Sequence, residues 1–299
     1  MEGCAVLDLS QGPLAVALHD AGGAQQVLAW LRHHRPGAEG VRPLVQGPAL
    51  VLWQQAFPNA SPQTDMVAAL SGASFLLSGT GWASNLEHNA RVCAQGLGVP
   101  SVAFLDHWVN YPMRFERGGV QQWPDVFWVS DSYAESLARA CFPHDRVVRV
   151  PDLHLEALVG AIGQPLPDRA PELLYVLEPV RNDWGRGRPG EFQALDFWAE
   201  RAPSLGLPPE TVWRLRPHPS DPPGKYSAWV ASQTHPAVCV DTSSTLAEAM
   251  SRARWVAGCE THALVVALAA GRQVFCTLPP WAPTCRLPHQ GLVHLKAQG

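Results

Sequence analysis

The residues best suited to chemistry fall in three runs of the second half of the chain. They are Trp213-Arg214-Leu215-Arg216-Pro217-His218-Pro219-Ser220, then Val238-Cys239-Val240-Asp241-Thr242-Ser243-Ser244, then Trp255-Val256-Ala257-Gly258-Cys259-Glu260-Thr261. Each is a short apolar segment that ends abruptly in polar groups, the pattern of parallel strands whose carboxyl ends border a ligand crevice. Arg216 offers a planar fork for phosphate oxygens, and His218 can donate a hydrogen bond or a proton from a loop stiffened by two prolines. Thr242, Ser243 and Ser244 bring hydroxyls to the start of a helix expected near Thr245, where free N–H groups favour an anion. Glu260 could accept from ribose hydroxyls while Thr261 meets phosphate. Each feature also has a plainer reading: a polar loop at His218, and ordinary helix capping at Ser243, Thr261 and Glu260.

The first half offers carboxylates. His19-Asp20-Ala21-Gly22-Gly23 follows an apolar strand and opens a helix, so Asp20 either removes a proton from a bound hydroxyl or caps that helix. Two acidic positions compete with it. Glu87 follows Ser78-Gly79-Thr80-Gly81-Trp82, a turn without the GxGxxG spacing of a dinucleotide fingerprint. Asp106 precedes His107 and Trp108, a composition suited to sugars, with an ion pair to Arg114 as the structural alternative. Asp125, Asp131 and Asp152 read as structural.

These residues need a scaffold. Apolar runs alternate with helix-length segments throughout, as in α/β units with mainly parallel sheets. In the first half the strands fall at 14–18, 75–78, 101–105, 126–129 and 147–150. In the second they fall at 173–177, 212–215, 238–240, 255–257, 274–277 and 292–295, with helices near 192–201, 225–233, 245–252 and 262–270. A Gly/Pro-rich stretch at 159–171 reads as a linker. The expectation is therefore an α/β protein of two Rossmann-like, doubly wound domains, 1–160 and 170–299, facing a cleft.

Composition limits the partners. The 299 residues are 46% hydrophobic and carry a formal charge of -4, so no basic field exists to attract nucleic acid. No run reaches the ~20 apolar residues of a membrane span, and Met1-Glu2-Gly3-Cys4 lacks the basic start of a secretion signal. Seven cysteines without a CxxC pair read as reduced core residues of a cytoplasmic protein. His33-His34 and the scattered histidines lack metal-ligand spacing, so neither a metal nor a cofactor is expected.

The order strand-RxHP, strand-DTSS and strand-GCET-helix resembles the nucleotide-binding half of GT-B glycosyltransferases, particularly the bacterial sialyltransferase and Kdo-transferase-like groups. The resemblance covers mainly residues 172 to 280. It implies that His218, Ser243 and Ser244 contact the phosphate of a CMP-activated sugar, and that the first half binds the acceptor. His19-Asp20-Ala21-Gly22 looks like a degraded form of the family's acidic-acidic-glycine motif, with His19 in place of the first acid. The resulting expectation is a metal-independent glycosyltransferase of bacterial surface glycans. It takes a CMP-nonulosonic or CMP-Kdo-type donor and a glycan or glycoconjugate acceptor. Asp20 or Asp106 acts as base, and His218 and Arg216 steady the departing phosphate. Two alternatives stand beside it: a nucleotide-sugar 2-epimerase of the UDP-GlcNAc type, and a non-catalytic nucleotide or glycan-binding module. Domains this short leave room for a second copy or a partner enzyme to complete the acceptor site.

Overall fold

The computed structural model describes residues 9, 11–164, 171–180, 182–233 and 237–297. The chain divides into two compact units between His154 and Leu155.

The first unit runs β1 (Leu14–Leu18), α1 (Ala21–His34), β2 (Val41–Val45), α2 (Pro48–Ala56), α3 (Met66–Leu70), β3 (Phe75–Ser78), α4 (Leu86–Gly96), β4 (Ser101–Phe104), β5 (Glu116–Arg117), β6 (Val120–Gln121), β7 (Val126–Val129), α5 (Ser132–Cys141) and β8 (Val147–Arg149). Its main sheet has six strands in the order β2-β1-β3-β4-β7-β8, all parallel. Leu-Ala-Val-Ala-Leu of β1 is buried at every residue, as a central strand covered on both faces must be. Trp53, Phe104 and Trp128 help to fill one of the layers against it. Asp131 starts α5 by accepting the N–H of Ala134 at 2.7 Å.

Helix α6 (Leu153–Ile162) spans the division between the units. The second unit continues with β9 (Glu172–Val176), α7 (Gly190–Arg201), β10 (Val212–Arg216), α8 (Ser227–Ala231), β11 (Val238–Val240), α9 (Leu246–Ser251), β12 (Trp255–Gly258), α10 (His262–Ala269), β13 (Gln273–Cys276) and β14 (Leu292–His294). Its six parallel strands lie in the order β11-β10-β9-β12-β13-β14. Tyr175, Trp198, Trp213 and Phe275 form the heart of its core.

The expected strands are present, and the differences have physical causes. Strand β2 contains Pro43 and escaped the sequence reading; it is tolerated because β2 is an edge strand. The helix expected at 225–233 is confined to Ser227–Ala231, because Asp221 holds Lys225 and Tyr226 in a preceding turn. Strand β11 lies at a sheet edge with Cys239 and Val240 exposed. The cysteines are therefore not uniformly core residues: Cys259 and Cys276 are buried, whereas Cys141 and Cys239 face solvent. Part of the expected linker at 159–171 belongs to α6, and 165–170 lies outside the described residues, as does the start of the chain. No helix among the described residues is long and apolar enough to cross a membrane.

Candidate functional site

In an open parallel sheet the loops leave in opposite directions where the strand order reverses, and a crevice opens at the carboxyl ends of the two strands flanking that point. In the first unit the flanking strands are β1 and β3. Asp20 follows β1, the Gly79-Thr80-Gly81 turn and Glu87 follow β3, and Asp106 follows the neighbouring β4.

Asp20 stands at the N-cap of α1, yet its side chain makes no capping hydrogen bond. It pairs instead with His19, Oδ1 lying 2.7 Å from Nδ1. Asp106 accepts from Arg114 Nη1 at 2.6 Å, so the ion pair considered from sequence is present. The same nitrogen donates to Thr80 Oγ1 at 2.9 Å, and Thr80 donates to the carbonyl of Phe104.

Glu87 links these groups. It is fully buried in the first turn of α4, where Oε1 accepts the backbone N–H of His19 at 3.1 Å and Oε2 has no hydrogen-bond partner. Burial raises its pKa to about 7; the His19 bond and the charge of Arg91 oppose the rise, while Asp20 and Asp106 add to it. Arg91, one turn along α4 and also buried, is pushed down to about 10 by desolvation. It donates to Ser78 Oγ and to the carbonyl of Gly79. The backbone passes very close here. A Cβ on Gly81 would lie 2.3 Å from Asp20 Oδ2 and 2.9 Å from Glu87 Oε2. One on Gly22 would lie 2.3 Å from Asp106 Oδ2. Asp20, Glu87 and Asp106 thus share one small volume, and burial leaves Glu87 partly protonated at neutral pH.

In the second unit the order reverses between β9 and β12. Glu178 follows β9, and its Oε1 accepts the backbone N–H of Glu260, after β12, at 2.7 Å. Burial raises Glu178 to about 7 against that hydrogen bond, with the Glu260 carboxylate adding to the rise. Glu260 is itself paired with Arg286, whose Nε lies 3.0 Å from Oε1. Thr261 caps α10 through the N–H of Ala263, so its capping role is realised. Glu178 carries no motif in the sequence and was missed there; only the placement of β9 beside β12 reveals it.

The remaining predicted residues form a separate group. Asp241 is enclosed between Arg214 and Arg216, with Arg216 Nη1 at 2.7 Å from Oδ2. Burial alone would raise its pKa, but hydrogen bonds from Arg216 and Ser243 and the charge of Arg214 outweigh that and hold it below the usual aspartate range. Arg216 Nη1 also donates to the carbonyl of Ser243 at 3.0 Å. Its Nε and Nη2 make no hydrogen bond among the described residues. Thr242 is exposed, and Glu248 engages Ser244 through both N–H and hydroxyl while Thr245 Oγ1 caps the short α9. His218 sits in its own exposed turn, Nδ1 2.8 Å from Ser220 Oγ and its N–H bonded to Asp221. The structure thus brings Arg216 and Ser243 together around Asp241, and leaves His218, Ser244 and Thr242 with local or solvent-facing roles.

No family model matches the chain, and no curated protein matches it in sequence. Solved structures match it in fold. UDP-GlcNAc 2-epimerase from Neisseria meningitidis bound to UDP-GlcNAc has a TM-score of 0.61 at 10% identity, over 89% of this chain and 82% of that one. MnaA of S. aureus, in a co-structure with UDP, scores 0.59 at 10% identity over 89% and 79%. The glycotransferase of kitacinnamycin scores 0.52 at 14% identity over 93% and 82%. The expected fold class is thereby found: two Rossmann-like α/β units of the GT-B kind. The resemblance read from sequence holds at that level, alongside proteins described as nucleotide-sugar epimerases and glycosyltransferases.

Proposed function

We propose that this chain acts on a UDP-linked sugar, inverting one carbon of that sugar in the manner of a nucleotide-sugar 2-epimerase. The carrying observation is the close grouping of Asp20, Asp106 and the buried, proton-holding Glu87. Inversion at C2 balances when a base takes its proton while UDP leaves C1, so that the electron pair forms a C1–C2 double bond, and an acid returns a proton to the other face of C2 as UDP adds back at C1. Glu87, whose pKa burial raises to about 7, supplies the acid, and Asp20 or Asp106 beside it supplies the base. Transfer to an acceptor needs one base and gives a protonated Glu87 no task.

On this reading the nucleotide lies against the second unit. Arg216 and Ser243, with Thr261 at the start of α10, face the phosphates, and Glu260 takes the ribose hydroxyls after exchanging its Arg286 partner. The UDP and UDP-GlcNAc of the matched structures support a uridine nucleotide. The CMP-nonulosonic donor drew its support from His218, Ser243 and Ser244; His218 and Ser244 are engaged locally, and Ser243 bonds to Asp241. Glycosyl transfer remains as a second reading, favoured by the His19–Asp20 pair, which has the geometry of a single activated base.

The deciding experiment incubates the chain with UDP-GlcNAc in deuterium oxide and follows the sugar by NMR. Epimerisation without any acceptor, with deuterium at the inverted carbon and loss of both in Glu87→Gln, supports the proposal. Consumption of donor only after an acceptor is added moves the assignment to a transferase. Failure of UDP, CMP and their sugars to raise the thermal midpoint overturns the donor site itself.

A further inference from the structure

The end of β13, the end of β14 and the loop between them bring together three groups that none of the roles above uses. Cys276 is the last residue of β13, and its partner in the parallel register is His294, the last residue of β14. Residues on adjacent strands at matching register project to the same face of the sheet. The intervening loop returns Cys285 to the same place. One ligand atom from each of Cys276, Cys285 and His294 lies within 4.8 Å of the other two. Cys276 is buried, and Cys285 and His294 are half-buried.

We propose that Cys276, Cys285 and His294 bind a borderline-soft divalent cation, zinc in the first instance, which clasps the 277–291 loop to the sheet. Two thiolates and one imidazole are a ligand set that selects zinc over the oxygen-loving cations. Around a tetrahedral zinc, with Zn–S near ~2.3 Å and Zn–N near ~2.0 Å, neighbouring ligand atoms stand roughly 3.5–4 Å apart. The cluster therefore needs to contract by no more than about 1 Å. Three protein ligands leave the fourth position to water. Glu178 and Glu260 both act electrostatically on Cys285, with Arg286 beside them paired to Glu260. On binding, Cys276 gives up the weak hydrogen bond that its thiol donates to the carbonyl of Cys259 at 3.0 Å.

The consequence reaches the candidate nucleotide site. Arg286 is the next residue after Cys285, and it carries the ion pair to Glu260. A metal that fixes Cys285 fixes Arg286 and so the orientation of Glu260. The proposal stands on the cluster geometry alone and is independent of whether the chain epimerises, transfers or only binds.

The test uses the full chain, kept reduced, stripped with a chelator and dialysed against limiting zinc or cobalt. One metal per chain is expected, with a thiolate-to-cobalt charge-transfer band and a thermal midpoint raised by a few degrees by zinc. The band should weaken by about half in Cys285→Ser, in proportion to the lost thiolate, and the midpoint shift should vanish in His294→Gln and in the Cys276→Ser/Cys285→Ser pair. Circular dichroism establishes that each variant is folded before it is compared. Absence of the band in folded wild-type protein overturns the site. The same spectrum and stoichiometry in Cys285→Ser and His294→Gln would also overturn it.

Discussion

Glu87 accepts the backbone N–H of His19 at 3.1 Å, a bond between residues 68 apart that ties the start of α1 to the first turn of α4. Glu178 makes the matching bond in the second unit, to the N–H of Glu260 at 2.7 Å. Each glutamate bridges the two strands that flank its sheet's reversal point, so each crevice is closed at its base by a carboxyl that prefers to hold its proton.

That preference has a cost in stability with a defined sign. Glu87 has a folded pKa of about 7 against an ordinary 4.5. The folded state therefore binds the proton more tightly, and stability falls as pH rises from the ordinary value through the folded one. Glu87→Gln removes this dependence. Urea unfolding should show the variant gaining on wild type by roughly 2–3 kcal/mol between pH 5 and pH 8. Equal pH profiles would show that Glu87 ionises normally.

Gly81→Ala separates catalysis from folding. The new Cβ would meet side-chain oxygens of Asp20 and Glu87, which can swing away, so the fold should survive. Displacing reacting groups by about 1 Å can cost on the order of 100-fold in turnover. The expected outcome is a midpoint within a few degrees of wild type with kcat strongly reduced and nucleotide affinity unchanged.

Asp241→Ala tests the opposite kind of site. The carboxylate is fully enclosed and balances Arg214 and Arg216. Its removal takes the carboxylate from Arg216 and leaves Arg214 with Glu172 alone, at 2.6 Å from Nε, a loss of about 3 kcal/mol. Thermal denaturation should reveal it, together with weaker nucleotide binding as Arg216 and the Ser243 turn lose their common anchor. In wild type, whose Asp241 pKa is depressed, this contribution persists above the ordinary aspartate range and disappears as pH falls through the folded value.

Glu260→Gln addresses the ribose. If the carboxylate accepts from two hydroxyls, UDP affinity measured by calorimetry should fall about tenfold, consistent with loss of charged hydrogen bonds. Inorganic diphosphate, which has no ribose, should bind wild type and variant alike.

How much of this was visible beforehand depends on the distance over which each signal acts. Strands such as Leu14–Leu18 and Trp255–Gly258 were legible because buried parallel strands are continuous apolar runs. Asp20 and Asp106 stand out as candidates because each lies within two residues of the end of such a run. Glu87 stands out less, since nothing in Asn85-Leu86-Glu87 reveals that the side chain is fully buried beside Asp20. Glu178 and the Cys276, Cys285 and His294 cluster left no linear signature. Their partners lie 82 residues away for Glu178 and on a neighbouring strand for Cys276, so only the order of strands brings them together. His218 illustrates the reverse: a loop rich in recognisable residues proved able to satisfy its own hydrogen bonds.

The two buried glutamates also alter the charge the molecule presents. The formal value of -4 counts every carboxyl as ionised. With Glu87 and Glu178 each about half protonated at pH 7, these two groups carry about one negative charge fewer than that count, and together they draw about one proton from solution on folding. The heat of unfolding then depends on the medium that receives the proton, so calorimetric enthalpies in phosphate and in Tris should differ by the ionisation heats of those buffers.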